Sequence, residues 1–170
     1  MKSIITVGCT VAAAAVVALA AGGKMKITSS AFQEGGTIPE KFSKNGRNVS
    51  PELRIEGAPP ETKSLALIVD DPDAPVGLFT HWLVWNIDPK AMDIAEGGSP
   101  SGAVQGKNDF GETGYGGPQP PSGTHRYYFK IFALDRALEL KPGAKRKEVD
   151  VAMKGHVIAQ GQLMGRYSKK

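Results

Sequence analysis

Leu65-Ala66-Leu67-Ile68-Val69-Asp70-Asp71-Pro72-Asp73-Ala74-Pro75 is the stretch on which the reading of this chain turns. The apolar run from Ser64 to Val69 shows none of the alternation of a half-solvated strand, so it reads as a central strand buried on both faces. Acids and prolines then end it abruptly. Thr80-His81-Trp82 follows, inside a second apolar run from Phe79 to Ile87 that carries both tryptophans, Trp82 and Trp85. A further histidine, His125, stands ahead of a third run, Arg126 to Leu134, and the Gly/Pro-rich segment from Gly114 to Pro121 lies between. Titratable groups at the ends of apolar strands, joined by a long loop, describe the mouth of a pocket.

Outward from that centre, Lys24 to Thr28 reads as a short strand and Ser29 to Pro39 as turns. Leu53-Arg54-Ile55-Glu56 alternates apolar and charged residues, as a half-buried strand does. Asp88 to Thr124 shows little regular structure; its nine glycines, from Gly97 to Gly123, make it a long loop of the kind that is usually functional or disordered, and Phe110 and Tyr115 imply that part of it packs. Val149, Ala152 and Met153 are spaced for a helix over Lys147 to Lys154, with Gly155 as its terminator. A last strand is expected over Gln160 to Tyr167. Strand runs separated by turns, with one late helix, predict a mainly β domain, an antiparallel β-sandwich with a short C-terminal helix.

At 170 residues, with 41% hydrophobic and 22% charged, the chain is sized and composed for one globular domain with a real core. The net charge of +4 is modest, Lys169 and Lys170 carry half of it, and the basic residues are scattered, which argues against a nucleic-acid partner. Cys9 is the one cysteine, so there is neither a disulfide framework nor a thiolate metal site. Lys2 followed by the uncharged, alanine-rich run from Ile4 to Ala21, ending in small residues, describes a signal peptide or a retained N-terminal anchor over residues 1–24, ahead of a domain over 25–170. The apolar run continues beyond Cys9, which is unlike a lipoprotein site. The expected location is periplasmic or secreted, or cytoplasmic if translation starts at Met25.

Residues two apart on a strand face the same way, so His125 and Tyr127 are expected to project together, and His81 to share a face with Phe79 and Leu83. Pro72 and Pro75 restrict the residues before them and so set how Asp71 and Asp73 are presented. Gly116 and Gly117 allow backbone N–H groups to approach a ligand, with Pro118 stiffening the turn. Imidazoles, a phenol and free N–H groups together make a cradle for phosphate or carboxylate. Each residue also has a plainer reading. Asp-Pro-Asp is commonly a turn with side-chain capping, a strand-end histidine is often a satisfied structural group, and His156, beside Val157 and Ile158 at a helix end, reads that way.

The ordered set is more specific than its members. Asn48-Val49-Ser50-Pro51-Glu52-Leu53, Asp70-Asp71-Pro72-Asp73-Ala74-Pro75, Thr80-His81-Trp82, Tyr115-Gly116-Gly117-Pro118 and Gly123-Thr124-His125-Arg126-Tyr127 resemble the phosphatidylethanolamine-binding protein family, in particular its bacterial and archaeal Raf-kinase-inhibitor-like branch. The resemblance runs from about Lys26 to Tyr167. It implies a β-sandwich with a small anion pocket at one end, formed by positions matching Asp71, Asp73, His81, Gly117, Pro118, His125 and Tyr127. It also implies a ligand of the phosphate or phosphorylated head-group type and, for some members, inhibition of a kinase or protease. Gln119 stands where bacterial relatives often have cysteine, and the chain ends soon after the last strand, without the C-terminal helix that borders the pocket in animal members.

Two functions follow. The first is a non-catalytic binding protein for a small anion or phosphorylated head group, with a kinase or protease as the protein partner, no cofactor and no metal, and membrane contact only through the N-terminal segment or lipid head groups. The alternative is a metal-dependent hydrolase using the Asp/His cluster to activate water. Against the alternative, the pocket has no obvious nucleophile and its acids lie between prolines.

Overall fold

The computed structural model describes residues 23–169. The signal peptide or anchor expected over residues 1–24 lies outside the described residues apart from Gly23 and Lys24, and no helix among the described residues is long and apolar enough to cross a membrane. In chain order the elements are β1 (Gly23–Lys24), β2 (Lys26–Thr28), a 3-10 turn (Glu40–Phe42), β3 (Leu53–Glu56), β4 (Ser64–Asp71), β5 (Phe79–Ile87), β6 (Asp93–Ile94), β7 (Val104–Gln105), β8 (Thr124–Leu134), α1 (Arg146–Met153) and β9 (Val157–Ser168).

A six-stranded sheet in the order β1-β9-β8-β4-β5-β7 stacks on a three-stranded sheet in the order β2-β3-β6. The pairing is antiparallel throughout, except for β1, which runs parallel to β9. Alternation along β4 explains its unbroken apolar sequence. Leu65, Leu67 and Val69 point into the core between the sheets, where they meet Ile27, Leu53, Ile55 and Ile94. Ala66 and Ile68 point the other way, into a second cluster with Val149 and Met153 of α1, Leu138 and Ala144. Each strand face is therefore dry, and each fully buried aliphatic side chain contributes about 1.5–3 kcal/mol. The helix begins with the Glu148 carboxylate accepting the Lys145 N–H at 2.9 Å, and the chain turns out of it through Gly155 at φ +81°.

The loop from Asp88 to Thr124 differs from expectation in holding β6 and β7, each of two residues. Strands that short carry no periodicity for a sequence to reveal.

The second departure matters more. Val69 pairs with Trp82 while Asp70 pairs with Thr80, so β5 carries one extra residue there, a bulge at His81. Leu83 and Trp85 belong to the helix-side cluster, whereas the His81 ring packs edge-on against Tyr127 of the inter-sheet core at 5.2 Å. The expectation that His81 shares a face with Leu83 is therefore corrected. The bulge shifts the alternation by one residue, and of the expected neighbours only Phe79 stays beside His81, with ring centroids 5.1 Å apart.

Candidate functional site

One end of the sandwich holds a cavity of about 260 Å³ lined by Asp71, Ala74, Pro75, Val76, Phe79, His81, Phe110, Gln119, Pro121 and His125. Three sheet positions supply its titratable groups. Asp71 is the last residue of β4, and the parity that sends Val69 inward also sends Asp71 to the cavity side. His125 lies two residues before the inward-facing Tyr127 on β8. His81 arrives through the bulge.

Each imidazole is fixed by its Nδ1. His125 Nδ1–H donates to Asp71 Oδ2 at 2.7 Å, while Asp71 Oδ1 accepts the backbone N–H of Asp73 at 2.8 Å, so both carboxylate oxygens are engaged. His81 Nδ1–H donates to the Gly116 carbonyl at 2.7 Å, and the Gly116 N–H returns a bond to the His81 carbonyl at 2.9 Å. A carbonyl can only accept, which places the His81 proton on Nδ1 and leaves Nε2 as the free acceptor. Burial holds the His81 imidazole below its ordinary value, with the Gly116 carbonyl and the Asp71 charge partly offsetting this. At neutral pH His81 is therefore an uncharged acceptor.

The remaining wall is aromatic. Phe79 and Phe110 meet edge-on at 4.8 Å, and His81 and Phe110 at 5.3 Å. Phe110 is held by Asn108, a buried hub whose Oδ1 accepts the N–H groups of Phe110 and Glu112 and whose Nδ2 donates to the Gly114 carbonyl at 2.9 Å. A Cβ on Gly116 would come within 2.6 Å of the Phe110 ring, so this close loop packing requires glycine. Val76 of the lining is 81% exposed.

The other residues singled out in the sequence lie around this cavity without lining it. Asp73 turns outward and is clamped by Arg126, whose Nε and Nη2 donate to its two oxygens at 2.9 and 2.7 Å and whose backbone N–H adds a third bond at 2.9 Å. The Arg126 hydrogen bonds hold the Asp73 carboxyl down at about 2. Asp73 thus pins the loop after β4 to β8. The Gly117 N–H is not free for a ligand, because it donates to Asn48 Oδ1 at 2.8 Å, and the Pro118 carbonyl accepts the Lys44 N–H at 3.0 Å. Gly117 and Pro118 fasten the loop behind His81 to the segment after the 3-10 turn. The Tyr127 hydroxyl is buried without a hydrogen-bond partner, and burial, with Asp71 nearby, raises its pKa well above the usual phenol value. Its ring backs His81. His156 is outside the site, with its Nδ1–H donating to Asp135 Oδ1 at 2.8 Å.

Sequence reasoning missed Phe79, Phe110 and Gln119 as walls and Asn108 as the hub. The aromatic content of the long loop hinted at Phe110, and the strand parity that put Phe79 on a face with His81 hinted at Phe79. Among the described residues no group of three or more His, Cys, Asp and Glu side chains is arranged to hold a metal, and nothing in the cluster favours the hydrolase alternative.

A family model described as phosphatidylethanolamine-binding protein matches residues 28–168. A UPF0098 protein of Pyrococcus horikoshii is 49% identical over 161 residues, covering 88% of this chain and 81% of its own. The UPF0098 protein of Methanothermobacter thermautotrophicus is 47% identical over 150 residues, covering 85% and 99%. Among solved structures, a phosphatidylethanolamine-binding protein homologue from Chlamydia trachomatis superposes with a TM-score of 0.83 at 45% identity, covering 86% of this chain and 99% of that one. The Escherichia coli protein YbcL, described as a member of the mammalian PEBP family, gives 0.81 at 32% identity, covering 88% and 100%.

Proposed function

The chain belongs to the phosphatidylethanolamine-binding protein family, and from that premise we propose that it is a non-catalytic binding protein whose His81–His125 cavity takes a small phosphate-type anion or phosphorylated head group. One observation carries the reading: two histidines line one small cavity, each tethered through Nδ1, which leaves both Nε2 atoms for a ligand. At about 260 Å³ the cavity falls below the ~300–1,000 Å³ typical of drug-sized ligands, a size for a head group and not for acyl chains.

The protonation pattern refines the ligand. Neutral His81 accepts a hydrogen bond at Nε2, which suits a protonated phosphate oxygen. Gln119 adds an amide group to the lining, and Tyr127 supports the His81 ring from behind. The lining contains no serine, threonine, cysteine or lysine, and its one carboxylate, Asp71, has both oxygens engaged by His125 and the Asp73 N–H, which supports the reading of a binding site.

The test is calorimetric titration with phosphoethanolamine. His125→Ala is expected to weaken binding about tenfold, the worth of one hydrogen bond to a charged ligand, while the unfolding transition remains cooperative. Equal affinity for the variant would count against the assignment.

A further inference from the structure

On the other side of His125 from most of the first cavity's lining lies a cleft of about 670 Å³ lined by Asp73, Ser122, Gly123, Thr124, His125, Arg126 and Arg166. Its electrostatics are unusual. Arg126 on β8 and Arg166 on β9 are directly opposed partners in the antiparallel ladder, and like charges opposed in this way destabilise a sheet. Arg126 is neutralised by Asp73. Arg166 makes no ion pair among the described residues, and its exposed side chain lines the cleft. Lys169 adds a further charge at the rim, its Nζ donating to the Pro121 carbonyl and its N–H to the Gly123 carbonyl.

The site is also built. The Arg166 backbone is held from the side away from β8, its N–H donating to the Gly36 carbonyl at 2.8 Å and its carbonyl accepting the Ile38 N–H at 2.8 Å. The Arg126 guanidinium is ordered by its fork onto Asp73 and retains N–H groups on Nη1 and Nη2 beyond those bonded to Tyr128 and Asp73. Hydroxyls of Ser122 and Thr124 stand alongside, the latter 2.7 Å from the Ser168 hydroxyl.

We propose that this cleft is a second anion subsite, taking a phosphate-type group between Arg166 and Arg126, with the hydroxyls at the Ser122–Thr124 turn completing the donor set. An anion there offsets the Arg166 charge, which has no ion-pair partner among the described residues while Arg126 has Asp73. The subsite shares only the His125 wall with the first cavity, so its standing does not depend on the function proposed for that cavity.

The experiment is a titration of the isotope-labelled full chain with inorganic phosphate, and separately with phosphoethanolamine, following the Gly123 and Thr124 amides, the Arg166 Nε–H and the His81 ring. The expected result is a saturable response at Gly123, Thr124 and Arg166 that Arg166→Gln weakens about tenfold while the His81 response is kept. A response to phosphate itself assigns the subsite to the free ion, and one confined to phosphoethanolamine assigns it to a phosphomonoester. Arg166→Gln is also expected to fold at least as stably as the parent without phosphate, because it relieves the opposition, and to lose the phosphate-dependent rise in melting temperature that belongs to this site. An unchanged Gly123 and Thr124 response in the variant, or none to either probe, would overturn the proposal. Silence at His81 with a response at Gly123 would instead sink the reading of the first cavity and leave this one standing.

Discussion

His81 and Leu83 are two residues apart on β5 and face opposite sides of the large sheet. Leu83 lies under α1, and His81 lies against Tyr127 and Phe110 in the cavity. The bulge between them decides what the cavity can bind. With unbroken alternation Thr80 would enter the cavity and the imidazole would be buried beneath the helix, since a one-residue slip exchanges the faces of a strand. Thr80 instead lies near Asp70 on the far side, where its hydroxyl donates to that carboxylate at 3.3 Å.

Asp71 acts through His125. In Asp71→Asn the backbone bond from Asp73 is retained, but the amide no longer holds the His125 proton on Nδ1 as a carboxylate does. The expected outcome is a mixed His125 tautomer in ring-nitrogen NMR and a several-fold loss of phosphoethanolamine affinity, about 1 kcal/mol, with the fold intact. A single tautomer identical to the parent's would show that Asp71 does not position the ring.

His81 makes stability depend on pH. Its folded value is depressed by burial, whereas an unfolded histidine titrates near about 6.5. Above that pH both states are neutral and the group has no effect. As the pH falls below it, the unfolded chain takes up a proton that the folded chain refuses, so stability declines until the lower folded value is reached. Urea midpoints measured from pH 7 to 5 should fall less steeply in His81→Gln than in the parent. Parallel profiles would contradict the burial argument.

Much of this was legible in the sequence. The unalternated run before Asp70 announced a strand covered on both faces, the spacing of Val149 and Met153 marked α1 to within a residue, and the parity of His125 and Tyr127 along β8 put the two on one face. What was not legible depended on distant partners. Gly117 donates its N–H to Asn48, 69 residues away, and Asp73 meets Arg126 across 53, so neither fate is written locally. The bulge at His81 is likewise invisible, because the strand composition is the same with or without it, and the loop residues Asp109 and Gly116 bond to the Thr80 and His81 backbones that flank the shift.

Asp70 is the structural counterpart of Asp71. Fully buried on the helix side, it accepts from Lys130 Nζ at 3.0 Å, from Arg146 Nη1 and from the Thr80 hydroxyl, and so ties β4, β5, β8 and α1 together. Asp70→Ala strands two partly buried cations and is expected to cost about 3–5 kcal/mol in urea unfolding, far more than a surface change. A loss under about 1 kcal/mol would mean that the cations find water or other partners.

The most direct test of the central claim is a phosphate titration of the full chain that follows the ring nitrogens of His81 and His125 by NMR. The account predicts that both Nε2 resonances move together along one saturable curve, while His156, tied to Asp135 outside the site, stays still. Unmoved His81 and His125 resonances, or equal movement at all three histidines, would contradict an anion site in this cavity.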